Sequence, residues 1–222
     1  MKILFSATIV LFTLSANSQV SYGVFAGPQV TGAHYTIRDK KQESSSKIGV
    51  NAGFQIKVPF EGRLSFAPSG MYNLRGYKVK FDSPAFPPDS SAIDNNTSYH
   101  SFELAFLLQY DFNLEPGHFF IRAGPSLDFI LAGNETFNTN MNTTIDRPMK
   151  FSFGDYGAYL ASVILQFGYE AKKGLFVYAH YNYGLISMNN ADNGPHIGNR
   201  AFGFTIGKYF KKKNAVTDTP NK

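Results

Sequence analysis

The stretch 101–112, SFELAFLLQYDF, constrains the fold more than any other part of the chain. Phe102, Leu104, Phe106, Leu108, Tyr110 and Phe112 occupy every second position, with Glu103, Gln109 and Asp111 among the alternates. Successive side chains of a strand point to opposite faces, so this period means a strand with one apolar and one polar face. A helix would scatter the same residues around its axis. Two settings suit such a strand. In a soluble protein the apolar face is core; in a transmembrane barrel it meets lipid and the polar face lines the lumen.

The period recurs along the chain. In 47–58, Ile48, Val50, Phe54 and Ile56 oppose Lys47, Asn51, Gln55 and Lys57. In 118–131, Phe119, Ile121, Leu127 and Phe129 oppose Arg122, Ser126 and Asp128. Segments 156–169, 175–186 and 199–210 repeat the pattern, and 22–36 and 63–80 follow it more loosely. The fold class expected is all-β: an eight-stranded antiparallel up-and-down transmembrane β-barrel. Short connections at 59–62, 113–117 and 170–174, each closed by Gly, alternate with long polar ones at 38–46, 81–97, 132–150 and 187–198. The interior separates the two settings. A soluble eight-stranded barrel would have to enclose the large aromatic faces, and its interior holds only a limited set of side chains. Gly49, Gly53, Ala105, Gly124, Gly203 and Gly207 share the polar face. Small plus polar suits a narrow hydrated lumen, and large plus aromatic suits lipid.

The N-terminus agrees with export. Lys2, an apolar run from Ile3 to Leu14 and the small-x-small ANS before Gln19 form a secretory signal peptide, expected to occupy 1–18. The barrel is assigned to 19–210 and a basic periplasmic tail to 211–222. The chain has no Cys, so it does without disulfides. Its net charge of +5 owes much to Lys211–Lys213, and export argues against a nucleic-acid partner.

Several segments in order, YGVFAGPQV, FIRAGPSLDFILAG, FSFGDYGAYLASVILQFGYE, YNYGLISM and NRAFGFTIGKYF, resemble the PorT-family outer-membrane β-barrel domain of Bacteroidetes-type bacteria. The resemblance spans nearly all of the exported chain. It implies the barrel fold, the outer membrane and, through a final strand ending on Phe210, recognition by barrel-assembly machinery. It implies no reaction. The founding member is associated with a secretion system.

Strand phase puts Arg63, Arg75, Glu103, Asp111, Arg122, Asp128, Glu170 and His180 in the lumen. They form either a selectivity ring or a plug of paired charges; eight strands leave little room for an aqueous channel, so the plug is the expected reading. The turn 113–117 constrains the register: Asp111 should face Phe120, Gln109 should face Arg122, and Glu103 should face Asp128. Opposed carboxylates repel, so a cation is needed between them. Arg75 is expected to reach Glu103 and Asp128, and Arg63 to serve Asp111. His34, His100, His118, His180 and His196 sit in no nucleophile motif, and no metal-ligand spacing or phosphate-cradling loop is present. No cofactor, metal or enzymatic activity is expected. Outer-membrane lipid and the assembly machinery are the expected partners, and the protein is expected to be a monomer with both termini in the periplasm. Its role is expected to be structural or loop-mediated. A narrow pore or ligand-binding barrel, a secretion-system accessory and a lipid-modifying enzyme are the alternatives.

Overall fold

A computed structural model describes residues 20–83 and 86–211, the last by its backbone alone. The signal-peptide assignment and residues 212–222 of the assigned tail lie outside the described residues. Ten strands follow in order: β1 Ser21–Ile37, β2 Lys40–Lys41, β3 Glu43–Glu61, β4 Leu64–Lys80, β5 Asp94–Asp111, β6 His118–Asn138, β7 Thr144–Pro148, β8 Tyr159–Glu170, β9 Leu175–Ser187 and β10 His196–Lys211. Eight of them form the barrel in the order β10-β9-β8-β6-β5-β4-β3-β1, and β10 pairs with β1 to close it. All pairings are antiparallel, and Ser21 lies opposite Lys211, so both ends of the barrel chain share one rim. Closure leaves no sheet edge within the eight-stranded wall, which is what a strand-built membrane span requires.

The faces follow the two-residue period. Phe106, Leu108, Tyr110, Val163, Leu165, Phe167, Phe202, Phe204 and Ile206 are all exposed on the outer wall. Their alternates Ala105, Leu107, Gln109, Ser162, Gln166 and Thr205 are buried inside. The tight turns lie where Gly was expected to close them, and Gly62, Gly117 and Gly174 carry φ values of +53°, +92° and +77°. At these positions a side chain would strain the backbone.

Two expectations about the long connections change. Residues 38–46 are not a loop: Arg38 and Asp39 make a turn with positive φ, and the chain returns at once as β2 and β3. Most of 132–150 is also strand, because β6 runs on to Asn138 and pairs with β7. β6 has 21 residues, about twice the 9–11 that cross hydrocarbon at a tilt. The strands therefore stand well beyond the membrane at one end. A bulge in β3 between Ser46 and Val50 turns the Lys47 ammonium toward Asn96 and Ser98, rather than toward Asn51 and Gln55.

The interior also differs. It is not only small and polar. Phe25, Phe120, Phe176, Tyr178 and Tyr209 pack inside the membrane-level half with Met71, Leu107 and Ile164. The lumenal glycines make the room: a Cβ at Gly207 would stand 2.2 Å from the Phe176 ring, and one at Gly168 would stand 2.6 Å from Phe120. In the projecting half a second apolar cluster contains Tyr35, Tyr77, Tyr99, Phe137 and Met188. This end is filled like a soluble core.

Candidate functional site

Three polar layers cross the lumen. The register of β5 and β6 is the expected one, with Asp111 opposite Phe120, Gln109 opposite Arg122 and Glu103 opposite Asp128. Arg75, on β4, stands between the last pair. Its Nη2 donates to Glu103 Oε2 and its Nη1 to Asp128 Oδ2, both at 2.5 Å. Glu103 accepts three more bonds, from Asn73 at 2.9 Å, Ser126 at 2.6 Å and Asn182 at 2.8 Å. The carboxylate is fully buried yet well supplied with donors, which a buried charge requires.

Arg122 forms the second layer without a carboxylate partner in an ion pair or hydrogen bond among the described residues. Its Nε donates to Gln109 at 2.6 Å, and its Nη1 donates to Gln55 and Gln166, each at 3.1 Å. Its Nη2 donates to the Tyr209 hydroxyl at 3.0 Å. The guanidinium lies over the Phe120 ring, 4.1 Å from its centroid. Amide acceptors and a π face hold this cation in place.

The third layer corrects an expectation. Arg63 does not serve Asp111. It is exposed, and its guanidinium reaches the Tyr110 hydroxyl at 3.5 Å. The cause is local: the β4–β5 pairing begins at Leu64 opposite Tyr110, so Arg63 sits in the turn, outside the wall. The cation is Lys57 from β3, whose Nζ lies 2.9 Å from Asp111 and 3.0 Å from Glu170. His118 lies beside both carboxylates, 3.2 Å from Asp111. Strand phase had placed Lys57 on the inner face. The contact itself was not readable, because it spans the lumen between strands that do not pair.

His180 faces Thr205 at 3.4 Å, and His100 contacts Tyr72 on the outer wall at 2.5 Å. Neither has a carboxylate partner in an ion pair or hydrogen bond among the described residues. In the projecting half, Glu135 is buried between Arg147 Nε at 2.8 Å and the Tyr156 hydroxyl at 2.7 Å. This group was not legible beforehand, because its segment reads as a polar loop.

The closed barrel and its lipid-facing belt define an integral outer-membrane strand protein. Residues 14–190 match the family model described as "Outer membrane protein beta-barrel domain", and the chain belongs to that family. The PorT type is a finer assignment than this match makes. A comparison with curated proteins found no match. Among solved structures, the chain is similar to OprG from Pseudomonas aeruginosa, with 9% identity, 89% of this chain and 99% of that chain covered, and a TM-score of 0.47. It is also similar to Ail, the attachment invasion locus protein of Yersinia pestis, with 11% identity, 86% and 99% covered, and a TM-score of 0.45. Neisserial surface protein A gives 13% identity, the same coverages and a TM-score of 0.44.

Proposed function

We propose that this protein is a sealed, non-enzymatic barrel that acts through the end projecting from the outer membrane. The carrying observation is the lumen itself. A lumenal cavity bounded by Arg75 and by Gln166, an Arg122 partner, measures about 10 Å³, room for about one water molecule. Arg75 and Arg122 are each held by several partners, so opening a path would strip buried charges of their bonds. At the projecting end Phe153 and Met141 are 95% and 81% exposed, which suits contact with a partner protein. In this reading both termini face the periplasm, the protein is a monomer, and it has no cofactor.

Planar-bilayer recording with the purified protein tests the sealed lumen. The expected trace is flat at moderate voltage. Regular unitary steps would replace this reading with that of a narrow pore.

A further inference from the structure

The apolar outer wall is interrupted where β1, β3 and β10 leave the membrane. On β1 the outward run of large side chains ends at Val30, and on β10 at Phe202, its pairing partner. The next outward pair is Gly32 with Arg200, followed by His34 with Gly198. Beside Gly32 lies a cleft of about 350 Å³. Val30, Tyr181 and Phe202 line its membrane side. Arg200, His34, Lys41, Ser44 and Ser46 line the other, with the Ser46 hydroxyl beside Gly32, and no carboxylate is among the lining residues.

Arg200 is fixed in place. Its guanidinium stacks on Tyr183, 3.6 Å from the ring centroid, and Nη1 donates to the carbonyls of Gly184 at 3.1 Å and Asn199 at 2.8 Å. Nε and Nη2 have no protein acceptor among the described residues. Lys41 has no ion pair among them either, whereas Lys40 beside it is paired with Asp82 at 2.9 Å. Depth follows from the strands. The lipid-facing runs Tyr22 to Val30 and Phe202 to Phe210 match the roughly 9–11 residues that cross hydrocarbon. The free cations therefore stand at headgroup level.

We propose that this cleft seats a phosphate of an outer-leaflet glycolipid, with an acyl chain lying on Val30, Tyr181 and Phe202. A guanidinium fork suits a phosphate, and the Ser46 hydroxyl supplies a further donor. The assignment rests on the reading that the projecting end faces outward. Nanodiscs containing the full-length protein and diphosphorylated lipid A test it, with lipid retention read by native mass spectrometry. Because a nanodisc offers the lipid at both rims, the result does not depend on orientation, which cysteine labelling reads separately. The expected result is preferential retention of the diphosphorylated lipid over the same lipid stripped of phosphate. Arg200→Gln and Lys41→Gln should each reduce retention about fivefold. Lys41 is exposed, so its variant keeps the test valid if Arg200→Gln fails to assemble. Equal retention of the two lipids, unchanged retention in both variants, or displacement by millimolar inorganic phosphate would overturn the proposal.

Discussion

Arg75 shows what a single residue contributes in a lumen this narrow. Its guanidinium joins two carboxylates that the register sets directly opposite, and it is 5% exposed. Removing one member of a buried pair costs about 3–5 kcal/mol, because the rest is left charged and unpaired. Arg75→Met leaves two such groups. Glu103→Gln leaves none and relieves their repulsion. Urea unfolding from lipid vesicles should therefore show Arg75→Met as the more destabilised variant. The same measurement should show a loss of similar size for Lys57→Met, which strips Asp111 and Glu170 of their shared cation, while Arg63→Met should change stability little. The Arg75 contact was legible because a five-residue turn fixes the β5–β6 register and β4 is the next strand. The Lys57 contact was not, since pairing rules rank only hydrogen-bonded neighbours and this salt bridge spans the lumen.

At the level of the strand, alternation was legible and the ends were not. Periodicity reports which face meets lipid. It carries no signal for where a strand leaves the membrane, because both the projecting part and the span stay paired. The segments 38–46 and 132–150 accordingly read as loops while forming hairpins. The aromatic lumen was also missed. Phe120, Phe176 and Tyr178 occupy inner positions beside Gly168 and Gly207, and Gly207 was among the residues read as filler for a hydrated interior. Glycine and ring are complementary parts of one packing. Gly207→Ala should cost about 1–3 kcal/mol by overpacking against Phe176. Gly154→Ala, whose Cβ would meet nothing within 4 Å, serves as the neutral comparison in the same unfolding assay. On the two faces of β5, Phe106→Arg puts a charge in hydrocarbon at about 2–4 kcal/mol near the midplane. Ala105→Ser turns into the lumen and should be tolerated. Equal folding yields into vesicles for these two variants would mean that the phase is wrong.

As a whole molecule, the barrel has a membrane-level half closed by three polar layers and a projecting half packed around Tyr35, Tyr77 and Phe137. In the proposed reading a sealed lumen leaves the projecting rim as the working surface, so the central claim is that this rim faces out of the cell. The most direct check is accessibility on intact cells. Met141 stands at the tip of the β6–β7 hairpin and is 81% exposed; Lys172 is exposed in the tight turn between β8 and β9 at the opposite rim. The chain has no Cys, so single cysteines report cleanly. With a membrane-impermeant thiol reagent, Met141→Cys should label on whole cells and Lys172→Cys only after the outer membrane is broken. Labelling of Lys172→Cys but not Met141→Cys on intact cells would contradict the account.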